Sequence, residues 1–276
     1  MNIYPDSRMS IPEFTKLSGF IYSNCGIKLP ITKKTMLEGR LHKRLRVLGL
    51  STFKDYSRFL FSAEGIKSEL FHMIDVVTTN KTDFFREAAH FEYLANHILP
   101  SAGKENVFNV WSAGCSSGEE PYTLAMVLND FAERNTGFNY NIFGTDISGR
   151  VLQAAATAVY AEEKVAPVPL SMKRKYLLKS KNATQKTVRI VPELRSKVTF
   201  DRLNFIDGDF STIMTFNVIF CRNVLIYFDR ATQEKVIYKL CKKLEPGGIL
   251  FLGHSESIAN MNLPLTQIQP TTFRKI

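Results

Sequence analysis

No run of apolar residues in this 276-residue chain approaches the roughly 20 needed to cross a bilayer, so direct membrane insertion is not expected. Its four cysteines, Cys25, Cys115, Cys221 and Cys241, show neither C-x-x-C spacing nor a dense framework. That excludes a disulfide scaffold and suits a reducing compartment. The opening residues Met1-Asn-Ile-Tyr-Pro-Asp6 lack a basic stretch leading into an apolar one, so no secretory signal is visible and a cytoplasmic location is expected. The histidines, His42, His72, His90, His97 and His254, are scattered without an H-E-x-x-H or Cys/His cluster, and no metal site is expected. A G-x-S-x-G elbow is missing, which leaves a serine hydrolase unsupported. Acidic residues are the minority, 26 against 36 basic, for a net charge of +10. Such a balance favours an acidic partner, whether nucleic acid, anionic lipid or an acidic protein surface, and charge alone does not choose among them.

What is present is globular: 45% of residues are hydrophobic and 22% charged, enough for a real core and two domains. Residues 1–77 read as helical. Phe14, Leu17, Phe20 and Ile21 fall at helical spacing in a first helix beginning at Ser10 or Ile11. Thr32 is a plausible N-cap for a second, with the stripe Leu37, Leu41, Leu45 and Leu48, and Gly49 is placed to end it. Ser51 or Thr52 is positioned to cap a third, and residues 66–77 form a fourth pattern. The polar stretch 78–82 is the expected domain boundary.

Beyond it, strands alternate with helices: strands at 108–112, 140–145, 198–203, 216–221 and 248–253, helices at 121–133, 148–160 and 231–244. This alternation predicts an α/β fold with a doubly wound, mostly parallel sheet. The last residues, 265–276, suit an edge strand or hairpin. Residues 161–197 break the rhythm, with short strand candidates at 176–178 and 187–191 around a polar turn at 179–186. An inserted β-hairpin subdomain is expected there.

The most informative stretch is Val107-Phe-Asn-Val-Trp-Ser-Ala-Gly-Cys-Ser-Ser-Gly-Glu-Glu-Pro-Tyr122. A strand, a small-residue turn and a helix start follow one another, the arrangement with which open parallel sheets bind nucleotide-like ligands. Gly114 and Gly118 let a ligand lie against the backbone, and Pro121 suits the first helical position. Glu119 and Glu120 would repel a pyrophosphate and welcome a ligand bearing positive charge and hydroxyls. Asp146 ends the next strand, where such sheets present an acid to ribose hydroxyls; capping the following helix is its alternative role.

This segment resembles the first motif of S-adenosylmethionine methyltransferases in the form used by chemotaxis receptor methyltransferases, the CheR family. Three further segments resemble that family in the same order: Thr78-Thr-Asn-Lys-Thr-Asp-Phe-Phe-Arg-Glu87, Phe220-Cys-Arg-Asn-Val-Leu-Ile-Tyr-Phe228 and Leu244-Glu-Pro-Gly-Gly-Ile-Leu-Phe-Leu-Gly253. The resemblance covers nearly the whole chain. It implies a class I methyltransferase fold of Rossmann type behind a small helical domain. The implied activity is methylation of glutamate side chains on the cytoplasmic domain of methyl-accepting chemotaxis receptors, with S-adenosylmethionine as donor and S-adenosylhomocysteine as product.

The matching positions imply cofactor contacts from Asn80, Thr82, Arg86, Gly114, Glu120, Asp146, Asn204, Phe205, Arg222 and Asn223, with Glu119 less certain than Glu120. Arg86 offers a rigid fork for a carboxylate, the cofactor's or the substrate's. Tyr227 points its phenol at the sulfonium or the incoming carboxylate, or else is a half-buried core residue. These two are the catalytic candidates, while Phe84, Phe85 and Phe228 read as packing. The family also implies docking on acidic receptor helices. Seven basic residues against one acidic lie between Lys28 and Arg46, and Lys33, Arg40, Lys43 and Arg44 group about 100° from the leucine stripe. In relatives, an insert like that at 161–197 captures a receptor C-terminal peptide. The rival readings are a nucleic-acid methyltransferase, a cofactor-binding scaffold without turnover, and a dinucleotide dehydrogenase. Cys-Arg-Asn-Val in place of an Asn/Asp-Pro-Pro-aromatic motif weighs against the first, so nucleic acid is not an expected partner; the absence of G-x-G-x-x-G weighs against the last.

Overall fold

The computed structural model describes residues 8–103, 106–182 and 184–276. The opening hexapeptide, and Ala183 of the polar turn, lie outside the described residues. Helix α1 (Ile11–Cys25) begins on a capping box in which Ser10 and Glu13 satisfy each other's backbone N–H groups, and Gly26 ends it at φ +70°. Helix α2 (Lys34–Leu48) buries Leu37, Leu41 and Leu45 in the same core as Leu17 and Ile21 of α1. Thr32 does not cap it: Ile31–Lys33 form a 3-10 turn that runs directly into the helix. Helix α3 (Phe53–Leu60) is capped by Thr52, which accepts from the Asp55 N–H at 3.1 Å.

The fourth pattern is two helices, α4 (Ala63–Ser68) and α5 (Leu70–Val77). The break has a tertiary cause. Glu69 at the joint turns its buried carboxylate inward to Arg44 and to the Tyr56 hydroxyl. Gly65 is pressed so closely on the preceding helix that a Cβ would stand 1.9 Å from the Phe59 carbonyl oxygen. Another helical stretch that periodicity did not announce follows the junction: α6 (Ala89–Tyr93), continued by a π turn and a 3-10 turn to Ser101.

The larger region is built on β1 (Phe108–Ala113), β2 (Tyr140–Asp146), β6 (Val198–Arg202), β7 (Phe216–Cys221), β8 (Leu244–Leu252), β9 (Leu265–Gln269) and β10 (Thr272–Lys275). The order is β6-β2-β1-β7-β8-β10-β9, parallel from β6 through β8, with β10 and β9 antiparallel. Side chains alternate across it with the strand period. Val110 joins the core holding Phe220 and Phe251, while its neighbour Trp111 joins the opposite core with Ile219 and Leu250. Helices α7 (Glu119–Arg134), α8 (Gly149–Thr157) and α11 (Arg230–Lys243) are the crossovers. The chain order reverses between β1 and β7, so the carboxyl ends of these strands open the crevice where such sheets bind ligands.

Three boundaries shift. α7 begins at Glu119 on Gly118, so Pro121 is its third residue, still within the turn whose N–H groups have no internal acceptor. α8 stops at Ala158 in left-handed backbone (φ 56°). β8 begins at Leu244 and carries the Pro-Gly-Gly turn through a register shift. The insert is a three-stranded antiparallel sheet, not a hairpin. β5 (Thr187–Ile190) lies between β3 (Val159–Ala161) and β4 (Leu177–Lys179), alongside the short helices α9 (Leu170–Tyr176) and α10 (Pro192–Arg195).

Candidate active site

A cleft of about 460 Å³ lies at the carboxyl ends of β1, β2 and β7, and its outer wall comes from residues 25–36 of the helical region. Direct bonds join the walls. The Asn204 amide donates to the Asn24 carbonyl at 2.6 Å, and the Lys28 N–H donates to the Tyr227 carbonyl at 2.9 Å. Asn80, Thr82, Arg86, Gly114, Glu120, Asp146, Asn204, Phe205, Arg222, Asn223 and Tyr227 all border this one cleft.

The glycine loop has the expected shape for a different reason. Gly114 adopts φ +89° and Gly118 φ +94°, which a side chain would strain. Yet the space a Cβ would fill belongs to protein: Val224 Cγ2 stands 2.4 Å from that point at Gly114, and the Tyr160 hydroxyl 2.8 Å at Gly118. The glycines admit packing from the β7 loop and the insert. Gly114 still borders the cleft, but Gly118 does not.

Asp146 is no helix cap; Ser148 caps α8. The carboxylate instead accepts the Ser148 N–H at 3.0 Å and the Ser116 N–H at 2.9 Å, one on each oxygen. Burial raises its pKa, and these backbone N–H bonds oppose the rise. Two oxygens offer about four lone-pair sites, so acceptors remain for hydroxyls in the cleft.

The two glutamates part company. Glu120 faces the cleft, takes the Ser112 hydroxyl at 2.7 Å and lies 3.6 Å from Arg222 Nε. Its pKa is raised by burial, against the pull of Arg222. Glu119 turns the other way, fully buried, to Lys164 of the insert at 3.0 Å. Two carboxylates on the cleft floor accommodate a cation with hydroxyls and disfavour a phosphate, so the residues fit a sulfonium nucleoside.

At the junction, the Asn80 carbonyl accepts from the Ser116 hydroxyl at 3.0 Å. Arg86 donates to the Lys81 carbonyl at 3.0 Å, which leaves its other donors for a carboxylate. Left-handed backbone at Phe85 and Glu87 turns the chain on both sides of it. Tyr227 is half-buried on the cleft wall. Phe84 is core, as expected.

Several of the expected site residues also have partners within the protein. The Arg222 guanidinium is only 1% exposed. It approaches Glu87 at 3.5 Å as well as Glu120, and donates to the Arg86 carbonyl. It braces the site from behind, and its Nε and Nη1 have no hydrogen-bond partner within the protein. Both ends of the Asn204 amide are engaged, on Asn24 and on the Ile206 N–H. The Asn223 amide is held by Glu87 at 3.3 Å. On α2, Arg44 forms a bidentate pair with buried Glu69 at 2.9 and 2.6 Å. Arg40 donates to the Val77 and Thr78 carbonyls and to Thr79. Both are structural and leave the docking set, whereas Lys33 and Lys43 remain exposed.

Sequence reasoning missed two features. Buried Glu256 accepts the N–H groups of Gly253, Asn223, Val224 and Leu225 at 2.6–2.9 Å, and so shapes the loop that leads to Tyr227. At 31–33 residues' separation no spacing rule would find it. The histidines are also less scattered than they read: Glu87, His90 and His254 converge, and only Glu87-x-x-His90 was visible as a local pattern.

Comparison with known families agrees with this geometry. Residues 80–274 match the family described as CheR methyltransferase, SAM binding domain, and residues 12–78 match CheR methyltransferase, all-alpha domain. A chemotaxis protein methyltransferase of Borreliella burgdorferi is 40% identical over 272 residues, covering 95% of this chain and 94% of the relative. Its counterpart in Klebsiella aerogenes is 38% identical, covering 92% and 86%. That of Escherichia coli is 36% identical, covering 96% and 91%.

Proposed function

The chain belongs to the CheR methyltransferase family, and on that premise we propose that the cleft holds the methyl donor on its acidic floor and admits the acceptor past Arg86 and Tyr227. The protein is an S-adenosylmethionine-dependent enzyme that methylates glutamate side chains of chemotaxis receptors. Bound S-adenosylmethionine supplies both the electrophilic methyl group and the leaving group. The chain's own residues bind, orient and exclude water. Asp146 takes the ribose hydroxyls, Glu120 and the Gly114 backbone line the nucleoside, and Phe205 gives it an apolar wall. Asn80 and Thr82 close the junction side, while Arg86 grips a carboxylate, the donor's or the substrate's. Tyr227 directs its hydroxyl at the reacting centre. No general base is needed, because a glutamate side chain with a pKa of about 4.3 is already ionised at neutral pH.

One observation carries this reading: Asp146 and Glu120 share a single cleft with Arg86 and Tyr227. Receptor-rich membranes incubated with labelled methyl donor test it. Base-labile label on receptor is expected, and base-stable label or none would overturn the reading.

The finer assignments are ours as well. We read residues 1–77 as the docking domain and 78–276 as the catalytic one, acting in the cytoplasm on the receptors' cytoplasmic helices. Lys33 and Lys43 meet acidic receptor segments. Each transfer removes one negative charge there, which biases helix packing. In the insert, β4 is an edge strand with Leu178 half exposed. We assign it capture of a receptor C-terminal peptide by strand addition. A Lys179→Pro substitution, at a position whose N–H faces away from β5, should slow methylation of full-length receptor several-fold and spare a helix fragment lacking that peptide. Equal rates of the wild-type enzyme on both substrates would dismiss the tether.

A further inference from the structure

Three side chains with no part in the transfer converge outside the cleft lining: Glu87, His90 and His254, each offering one ligand atom within 4.8 Å of the others. We propose that they bind a divalent transition metal of the zinc type, which braces the Arg86 turn against the loop after β8.

His90 is buried, and its Nε2 stands 2.9 Å from Thr271 Oγ1. With the Thr271 hydroxyl turned to the Pro270 carbonyl at 2.8 Å, its oxygen is left to accept from the ring. In that tautomer Nε2 carries the imidazole proton, and Nδ1 of the neutral ring presents a bare lone pair. That lone pair faces Glu87 Oε2 at 3.7 Å, too far for a hydrogen bond. Both atoms are buried and without a hydrogen-bond partner. Two buried acceptors facing each other are costly, and a cation between them removes the cost.

His254 completes the set. Its Nε2 lies 3.9 Å from the same carboxylate oxygen, on a side chain that is 60% exposed, so an ion reaches the site from solvent. Bonds of about 2.0–2.2 Å in a tetrahedral site place ligand atoms about 3.3 Å apart, and the exposed imidazole has room to close the difference. Two imidazoles and one carboxylate suit zinc and its neighbours; magnesium and calcium take oxygen ligands. Arg222 approaches Glu87 too, but Glu120 shares that guanidinium. Thr271 supplies the outer support that ligating histidines require. The second Glu87 oxygen accepts from the Asn223 amide and the His254 N–H, both at 3.3 Å, so a bound ion ties three segments together.

Protein stripped with chelator and titrated with Co²⁺ provides the test, the visible spectrum reporting coordination, with Zn²⁺ titrated in parallel by calorimetry. One equivalent should bind, with the absorption of a four-coordinate nitrogen–oxygen site. Affinity should fall more than about tenfold in both His254→Ala and Glu87→Gln. His254→Ala, at an exposed position, should keep the wild-type circular dichroism, which separates ligand loss from unfolding. Absence of stoichiometric binding, or equal binding by wild type and a folded His254→Ala, would overturn the proposal.

Discussion

The acidic floor of the cleft and the basic face of α2 make an instructive pair. Each was picked out in the sequence as charged residues at a telling spacing, and the structure treats them differently. Asp146 sits at the end of β2 and Glu120 in the first turn of α7, held by Ser116, Ser148 and Ser112. The four basic docking candidates on and just before α2 divide evenly. Arg40 and Arg44 fold inward to serve the helical core, and Lys33 and Lys43 stay in solvent. A strand end in a parallel sheet has one environment, so a residue's role there follows from its position. A helix face has as many environments as it has neighbours, and a guanidinium long enough to reach a buried carboxylate goes there. A count of charges cannot separate the two cases.

Four experiments break or sharpen that contrast. Arg44→Glu should do the most damage, because it leaves Glu69 as an uncompensated buried charge; breaking such a pair costs about 3–5 kcal/mol. Lys43→Glu, one position away, should stay within about 0.5 kcal/mol of wild type. Thermal or urea melts of the two proteins decide this, and equal stability would return Arg44 to the docking surface.

On the acidic side, Asp146→Ala removes charge-assisted hydrogen bonds of about 1.5–3 kcal/mol, about ten- to a hundredfold in cofactor affinity. Because Asp146 also holds the Ser116 and Ser148 N–H groups, some stability should go with it. Calorimetry paired with a melt separates the two, and an unchanged dissociation constant in the folded variant would leave Asp146 a purely structural role.

Smaller in effect is Tyr227→Phe, which deletes one hydroxyl. A neutral hydrogen bond of about 0.5–1.5 kcal/mol predicts turnover about two- to tenfold lower at saturating substrates, with little change in melting. Normal turnover would place the phenol outside the mechanism.

Smallest is the Lys33→Glu, Lys43→Glu double variant, expected to weaken receptor methylation a few-fold at low salt and to spare cofactor binding. The difference should shrink as salt rises, since exposed charges are screened over about 8–10 Å at physiological ionic strength. An effect independent of salt would count against electrostatic docking.

The order of elements, the strand-end acids and the four motifs were legible in the sequence because each is local. Period-2 and period-3.6 patterns, glycines that must take positive φ and a resemblance carried by contiguous residues all lie within a turn or two of chain. What stayed hidden depends on residues far apart in sequence. Glu69 breaks one expected helix into α4 and α5 by reaching Arg44, 25 residues away. Glu119 and Glu120, adjacent in the chain, face opposite ways because α7 begins at Gly118 and the insert brings Lys164 to one of them. Glu256 shapes the Tyr227 loop through four backbone N–H groups, and Arg222 lies between Glu87 and Glu120. Local chemistry alone thus determined the fold class and the kind of ligand. Which charged groups face the cleft, which are buried in pairs and where Glu87 meets two histidines was decided only by packing, because a side chain's partner is set by distance in space and by the cost of leaving a buried charge alone.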